Sequence, residues 1–257
     1  MPHTPDALRV LVEEKLERLE LWPQLHGQEE SVRYSLLAGG KRVRPVICLA
    51  TAAAAGGELD AAMPAACALE LVHTFSLVHD DLPALDDDEE RRGQPATWKR
   101  YGEAVGILAG DALVAEAFRL ATSYETTAVA RELAEATLGM IGGQYLDITG
   151  TAPDEATLHS LKTGCLFAAS VGLGLWAAGV AKAEQAPWRA FGGELGLLFQ
   201  IVDDILDGDG YVQTHGPAGA RRLADEAAER ARARLDYIHA DTAVLREIVD
   251  GLAVRTA

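Results

Sequence analysis

Residues 64–81, PAACALELVHTFSLVHDD, carry apolar side chains on most sides of a helix and end in acidic residues. A helix that is apolar all round belongs in the interior of a protein rather than on its surface. Segments 102–122 and 191–206 have the same character, and no segment alternates apolar and polar residues long enough to predict a strand. The sequence therefore predicts an all-α fold, a bundle of about ten helices with some enclosed in its core.

Glycine and proline mark the expected helix ends. The glycine pairs at 39–40 and 56–57 predict breaks, because glycine adopts the backbone conformations that end helices. Pro64 suits the first turn of its helix, where a missing N–H is tolerated. Residues 150–153 predict a loop in which Pro153 opens the next helix.

Composition limits the class of protein. The chain has 257 residues, a hydrophobic fraction of 49% and a net charge of −16. So acidic a chain argues against a nucleic-acid partner, because phosphate backbones are bound by clustered Lys and Arg. Length and apolar content predict one domain over residues 1–257. The first residues carry charges throughout and lack the apolar stretch of a secretory signal, so we expect a cytoplasmic protein.

The cysteines and one uncharged segment point the same way. Segment 165–181 has no charged residue, but it is shorter than the ~20 residues that a membrane span requires. We therefore expect a buried core helix there and no membrane span. The widely spaced cysteines, in no CxxC pairing, are expected to be buried thiols of a reducing compartment. They are Cys48, Cys67 and Cys165.

A dense group of carboxylates follows the first apolar helix. Asp80 and Asp81 lie at its C-terminal end, where Pro83 forces Leu82 out of the helical conformation. A helix C-terminus carries partial negative charge, so the dipole opposes these two acids, as do the acids at 86–88. A divalent cation removes the conflict, and carboxylates without His or Cys at ligand spacing favour Mg²⁺.

A second acidic group lies in FQIVDDILD, residues 199–207. Asp203 and Asp207 are four residues apart on one helix face, with Asp204 beside them. A solvated helix end is the plain alternative, but the surrounding apolar residues predict that much of this helix is buried. An EF-hand fails in register, because Ile205 falls at the first ligand position. Two acidic helix ends that face each other across a bundle would hold several Mg²⁺ ions and an anionic ligand, for which diphosphate fits best.

Basic residues suited to such a ligand occur at separate points along this acidic chain. They are Lys41, Arg42, Arg44, Arg91, Arg92 and Lys162. Each basic pair taken alone is typical of a protein surface. Together with two aspartate clusters, these pairs predict phosphate binding.

Several motifs occur in the order and spacing of one known family. They are YSLLAGGKRVRP, HTFSLVHDDLPALDDDEERRGQP, ILAGDAL, GGQYLDITG, LKTG and FQIVDDILD. Residues 32–207 thereby resemble the trans-prenyl diphosphate synthases, the farnesyl and geranylgeranyl diphosphate synthases of the polyprenyl synthetase family. The resemblance implies an isoprenoid synthase-type bundle around a central cavity, a homodimer, and the two aspartate motifs facing each other at the cavity mouth. It also implies Mg²⁺-dependent head-to-tail joining of isopentenyl diphosphate to an allylic diphosphate, dimethylallyl or geranyl.

The resemblance also assigns roles to individual residues. About three Mg²⁺ ions per active site are expected on Asp80, Asp81, Asp86, Asp203, Asp204 and Asp207. The residues that match the isopentenyl diphosphate pocket are Lys41, Arg44, His73 and Arg92. Those that match the allylic diphosphate pocket are Arg91, Lys162, Thr163 and Gln200. Stabilisation of the departing diphosphate, the catalytic role, is assigned to Asp80, Asp81, Asp86, Arg91, Lys162 and Asp203.

One segment departs from the family pattern. Family members usually carry a lysine-containing loop that closes over the allylic diphosphate after the second aspartate motif, whereas no lysine follows Lys182 here. The lid loop after Asp207 is therefore shortened, and Arg221 and Arg222 are candidates to replace its charge. Two other functions stay open. A terpene synthase-like enzyme is disfavoured by the isopentenyl pocket, and a non-catalytic subunit that modulates a partner synthase is disfavoured by the intact aspartates.

Product length is predicted from the residues just before the first aspartate motif. Phe75 and Ser76 lie about one turn before Asp80, alongside the path expected for the growing chain. In the family, an aromatic residue at this position accompanies short products, because a rigid ring resists a further five-carbon unit. The extra residues Pro83 and Ala84 narrow the cavity further. The sequence therefore predicts C15 farnesyl diphosphate as the main product, with C20 geranylgeranyl diphosphate as the alternative.

Overall fold

The computed structural model describes residues 3–255, and this part of the chain is mostly helical. The α-helices are α1 (Pro5–Glu17), α2 (Glu29–Leu36), α3 (Val43–Ala54), α4 (Leu59–Asp80), α5 (Thr97–Tyr101), α6 (Glu103–Ala121), α7 (Ala128–Thr149), α8 (Glu155–His159), α9 (Cys165–Ala177), α10 (Ala186–Asp207), α11 (Tyr211–Asp236) and α12 (Ala243–Ala253). The predicted all-α fold is confirmed.

Short elements connect the helices. Two 3-10 turns cover Pro23–Gln28 and Lys182–Glu184, and a π turn, Ser160–Gly164, joins α8 to α9. Two strands of two residues each, β1 (Glu90–Arg91) and β2 (Gln94–Pro95), pair antiparallel in a hairpin after α4. Strands this short leave no alternating pattern, which explains why the sequence did not predict them.

The apolar helices form the interior, as predicted. Most residues of α4 and α9 are buried, and α3 packs against both. α10 packs on α9 and α11, and the rings of Phe167 and Phe191 are fully enclosed. The core helix predicted for residues 165–181 is α9, which ends at Ala177.

Pro64 does not open its helix, contrary to the prediction. α4 begins at Leu59, so Pro64 lies inside it. The Tyr124 hydroxyl repairs the interrupted ladder: it accepts a hydrogen bond from the Ala65 N–H at 3.0 Å and donates one to the Ala61 carbonyl at 2.8 Å. This pair would bond directly in a regular helix. A distant side chain therefore makes the proline tolerable, which local sequence cannot reveal.

The predicted breaks are only partly confirmed. Residues 39–40 and 56–57 lie in turns between helices, as expected. Pro153 does not open α8, because Asp154 caps that helix by accepting a hydrogen bond from the Thr157 N–H at 2.6 Å. The capping carboxylate fixes the helix start two residues later than predicted.

Two helical stretches are long and apolar enough to cross a membrane by length and composition alone, Leu59–Asp80 and Glu155–Ala177. In the structure, 72% and 50% of their apolar windows are buried inside the bundle. Core helices of a bundle have the same composition, so these stretches are weak evidence for a span.

The three cysteines are free thiols. Cys48 and Cys67 are buried, as predicted, and burial raises the pKa of each thiol above its usual range. Cys165 is only partly buried, contrary to the prediction, because it begins α9 next to the π turn rather than lying in the middle of the core.

Candidate active site

One large cavity, of about 1150 Å³, opens between α4, α6, α7 and α10. Many residues predicted from the sequence line it: Lys41, Arg44, His73, Phe75, Ser76, Asp80, Arg91, Arg92, Lys162, Thr163 and Asp203. Val114, Met140 and Ile141 of α6 and α7 add an apolar wall that the sequence did not single out. Their helix periodicity does not distinguish cavity residues from core residues.

Asp80 ends α4 and lines the cavity. Burial raises the pKa of its carboxyl group to about 6; Lys162 opposes the rise, and Asp86 and Asp81 add to it. The charged form is disfavoured because the group is partly withdrawn from water among other acids. Such a group is a candidate for neutralisation by a cation.

The neighbouring acids of the first motif have other surroundings. The buried Asp81 carboxylate accepts a hydrogen bond from Arg91 Nε at 2.8 Å, and Arg91 also pairs with Asp88 at 2.8 Å. Asp86 is exposed, and its N–H donates to the Asp80 carbonyl at 2.9 Å. Asp81 therefore holds Arg91 at the cavity rim, and neither Asp81 nor Asp86 lines the cavity wall.

The second aspartate motif divides in the same way. Asp203 lines the cavity, and burial followed by repulsion from Asp207 raises the pKa of its carboxyl group, against the opposing charge of Arg44. Asp207 is exposed at the end of α10. Asp204 is buried on another side of the helix. Of the six predicted metal ligands, the structure therefore brings Asp80 and Asp203 to one cavity.

Asp204 belongs to a group that the sequence did not reveal. Its carboxylate accepts hydrogen bonds from Gln200 Nε2 at 2.6 Å and from the Tyr211 N–H at 2.9 Å. Glu155 and His159 offer further ligand atoms, and one such atom from each of the three side chains lies within 4.8 Å of the other two, close enough to hold one cation. The spacing of Glu155 and His159 places both on one face of α8, but nothing local connects them to Asp204. Gln200 thus binds Asp204 rather than lining the cavity.

Three cations approach the cavity from the loop before α3, from the first turn of α3 and from the hairpin. The Arg44 guanidinium lies over the Phe167 ring, 4.5 Å from its centroid, and burial lowers its pKa to about 10, so it stays charged at neutral pH. Arg92 adopts a left-handed backbone conformation, with φ of 56°. Its guanidinium donates to the Gly39 carbonyl and lies over Gly40, where a Cβ would come within 2.8 Å of it. Lys41 is exposed at the rim.

Arg42 lines the cavity, but its guanidinium is engaged inside the protein. It is buried with a left-handed backbone, and its Nη1 donates to Glu70 at 2.6 Å while Nη2 donates to the Leu36 carbonyl at 2.9 Å. Its charge is therefore compensated inside the protein. Glu70 was missed because an acid inside an apolar helix has no local partner in the sequence.

Lys162 and Thr163 lie in the π turn between α8 and α9 and line the cavity. Gly143 of α7 permits this turn to approach closely, since a Cβ there would come within 2.4 Å of the Lys162 backbone nitrogen. The Lys162 ammonium pairs with Asp147 of the GGQYLDITG motif. A π turn often occurs at a functional position.

His73 and Ser76 line the cavity on α4. Burial, followed by the charges of the surrounding arginines, holds the pKa of His73 well below its usual range. The imidazole is therefore neutral at physiological pH. The Ser76 hydroxyl donates to the His73 carbonyl at 2.9 Å, which leaves its oxygen free to accept.

Three residues separate α10 from α11 in the segment after Asp207. Gly208 ends α10 in the left-handed conformation, and α11 begins at Tyr211 with a kink at Gly216. Arg221 donates to the Ala253 carbonyl at 2.7 Å and pairs with a neighbouring acid on α11. It therefore fastens α11 to α12, and it is not among the residues that line the cavity. Arg222 is exposed on the same helix.

Known proteins resemble this chain in sequence. The sequence profile of the polyprenyl synthetase family matches residues 27–220. A geranylgeranyl diphosphate synthase from Cyanophora paradoxa is 44% identical over 69% of this chain and 64% of its own length. A geranylgeranyl pyrophosphate synthase from Capsicum annuum is 43% identical over 77% of this chain and 58% of its own length. The chain thus spans between half and two thirds of these curated relatives.

Solved structures resemble the fold over nearly the whole chain. A geranyltransferase from Legionella pneumophila has a TM-score of 0.89 at 29% identity, with coverage of 98% of this chain and 96% of the other. A geranyltranstransferase from Thermotoga maritima has a TM-score of 0.83 at 28% identity, with coverage of 97% and 96%. The family profile covers most of the chain, and the aspartate motifs of the matched region flank one cavity. This chain belongs to the polyprenyl synthetase family.

Proposed function

We propose that the protein is a prenyltransferase that joins isopentenyl diphosphate head-to-tail to an allylic diphosphate in a Mg²⁺-dependent reaction. One observation carries the proposal: a single large cavity has carboxylates and cationic side chains on one part of its wall and apolar side chains on another. The polar part suits two diphosphates, and the apolar part suits a growing hydrocarbon chain.

Mg²⁺ fits the carboxylates that line this cavity. Asp80 and Asp203 supply the hard oxygen donors that Mg²⁺ prefers, and burial beside other acids raises the pKa of both carboxyl groups. Bound Mg²⁺ neutralises a diphosphate and favours its departure. About three ions per site are proposed. Asp86 would add a further ligand, and Asp81, Asp204 and Asp207 would act through water or orient the other groups.

The cationic side chains are assigned to two separate pockets, one for each substrate. Arg91 and Lys162 hold the allylic diphosphate while its C–O bond breaks, which leaves an allylic cation in the apolar part of the cavity. Arg44 and Arg92 hold isopentenyl diphosphate, with Lys41, so that its double bond attacks that cation. The proton lost from the new product goes to the released diphosphate. His73 is a donor to phosphate in this scheme rather than the base.

For the main product we propose C20 geranylgeranyl diphosphate. Relatives named as geranylgeranyl diphosphate synthases, at 44% and 43% identity, favour it over the C15 farnesyl diphosphate that Phe75 predicts. Farnesyl diphosphate becomes the alternative.

We also propose a homodimer that forms through α6 and α7. Both helices present apolar side chains to solvent: Ile107, Leu108, Leu138, Ile141, Tyr145 and Ile148. Exposed apolar surface on this scale favours a protein contact. Ile141, Tyr145 and Ile148 also line the cavity, so a second copy would close that part of its wall. Sedimentation at micromolar concentration tests this, and a monomer would contradict it. Cytoplasmic localisation stays a prediction.

Incubation with Mg²⁺, isopentenyl diphosphate and each allylic diphosphate in turn tests the function, with chromatography of the dephosphorylated products. We expect C20 alcohol as the main product and none without Mg²⁺. A C15 main product would overturn the chain length alone. Cyclic hydrocarbons formed without isopentenyl diphosphate would indicate a terpene synthase-like enzyme, and inactivity would favour a modulating subunit.

A further inference from the structure

The Phe75 ring has a second aromatic ring beside it, one turn nearer Asp80, and both residues line the cavity. His79 lies one turn later on α4, and the two rings meet edge to face, with centroids 4.9 Å apart and planes inclined by 72°. Phe75 is only 9% exposed although it lines the cavity, so most of its ring is packed against protein. Edge-to-face contact restricts how the ring tilts.

His79 is itself held from the other side. Its Nε2 lies 3.0 Å from the Ile107 carbonyl oxygen of α6, and in the tautomer with the hydrogen on Nε2 it donates to that oxygen. The ring occupies the space over Gly110, because a Cβ there would come within 2.1 Å of Nε2. The imidazole is thus wedged between Phe75 on α4 and the backbone of α6. The imidazole also lines the cavity, and its side chain is 23% exposed.

We propose that His79 is a positioning residue for product length: it braces Phe75 against α6 and so makes the phenyl ring a rigid floor of the cavity. The inference rests on the proposed prenyltransferase function, but not on which product predominates. Without the brace, the Phe75 ring can move into the space that the imidazole leaves, and the cavity deepens. With the brace pushed toward Phe75, the cavity becomes shallower.

The test uses changes on both sides of the imidazole. His79→Ala should raise the ratio of the product one five-carbon unit longer to the wild-type main product by about tenfold. Gly110→Ala should shift the ratio toward shorter products, because the new methyl displaces the imidazole toward Phe75. Val78→Ala is the matched control, since it removes a buried side chain of α4 that does not line the cavity. It should leave the product ratio unchanged.

Double variants separate bracing from general loosening. In a Phe75→Ala background, His79→Ala should no longer change the product ratio, because no ring remains to be braced. A further lengthening there would overturn the proposal. Gly110→Ala can also impair folding, and combining it with His79→Ala should restore stability, because the clash requires the imidazole. If the double variant is as unstable as Gly110→Ala alone, the imidazole is not held between Phe75 and α6 as proposed.

A measurement without turnover keeps the proposal testable if the wild-type protein makes no prenyl product. With ¹³C-labelled phenylalanine, the Phe75 ring resonances should shift and ring flipping should accelerate in His79→Ala, but not in Val78→Ala. An unchanged Phe75 ring would overturn the bracing role. An inactive wild-type protein with a released ring in His79→Ala would instead refute the proposed function alone.

Discussion

Helices α7 and α10 carry charged groups at both of their ends, and the two ends behave differently. On α10, Arg189 and Asp203 lie ~21 Å apart along the axis. At the Arg189 end, Glu132 of α7 accepts from Arg189 Nη1 and Nη2 at 2.7 and 2.8 Å and from Trp176 Nε1 at 2.7 Å. Arg189 also donates to the fully buried Gln185 side chain at 2.6 Å. Every charge in this network has its partners.

At the cavity end, like charges stay together instead. Asp80 and Asp203 line one cavity with raised carboxyl pKa values, and Arg44 is buried over aromatic rings. Such an arrangement destabilises the empty protein and stabilises a bound anion with its cations. One end of the bundle therefore contributes stability, while the other gives up stability for binding.

The largest effect, a loss of turnover, is expected at the cavity end of the bundle. Asp80→Asn and Asp203→Asn should each lower turnover at least about a thousandfold, because each removes a donor to the metal that stabilises the departing diphosphate. Each variant should also melt at an equal or higher temperature than the wild type without Mg²⁺, since like-charge repulsion is relieved. Steady-state kinetics and thermal melts measure both.

The control for these variants is Asp209→Asn, which lies just after α10 and is exposed. It should retain wild-type turnover. Near wild-type activity of Asp80→Asn in Mg²⁺ would refute the metal assignment, and a loss of stability in the apo protein would refute the account of electrostatic strain.

The opposite result, a loss of stability with little change in turnover, is expected at the Arg189 end of α10. Arg189→Ala leaves Glu132 without its bidentate partner and should lower the free energy of unfolding by about 2–3 kcal/mol. For a domain of this size the Tm should fall by about 5–10 °C. Below the melting range, turnover should stay within about twofold. A Tm within about 1 °C of the wild type would show that the network contributes little.

A smaller effect should separate the two anion pockets. Arg92 lies against Gly40 in the loop that holds Lys41, whereas Arg91 is bound by Asp81. Arg92→Ala should raise the KM for isopentenyl diphosphate about tenfold and change that for geranyl diphosphate far less. Arg91→Ala is the matched variant and should show the reverse preference. Equal changes for both substrates in both variants would mean that the pockets are not distinct.

The sequence predicted the charged groups at the cavity end of the bundle but not those at the Arg189 end. The acids at residues 80–88 and 203–207 stand out because clustered charges break the expected pattern of a buried helix. Glu132 and Arg189 are single charges far apart in the chain, and only the packing of both α7 and α10 on α9 brings them together. The same reason hides Glu70 and the Tyr124 bridge at Pro64. Local pattern reveals clusters and helices, whereas single long-range partners require the fold.

The sequence also predicted more acids at the cavity than the structure places there. Spacing put Asp203, Asp204 and Asp207 near one another, yet successive residues on a helix point in different directions. Asp204 therefore lies with Glu155 and His159, away from Asp203. At the first motif, the C-terminal end of α4 turns Asp81 toward Arg91.

The smallest effect is expected for an isolated ion pair on the surface. Its contribution to stability serves as a comparison for that of the Glu132 network. Arg232 Nε lies 2.8 Å from Asp250 and joins α11 to α12; Asp250 is exposed, Arg232 is partly exposed, and no further partner among the described residues completes the pair. Water and salt screen such a pair, and holding two long side chains in one geometry costs entropy, so it contributes at most about 1 kcal/mol. Arg232→Ala should change the Tm by no more than about 3 °C. Raising the salt concentration should remove even that difference. A loss as large as that of Arg189→Ala would mean that the distance between charges, rather than the completeness of partners around each charge, determines what an ion pair contributes here.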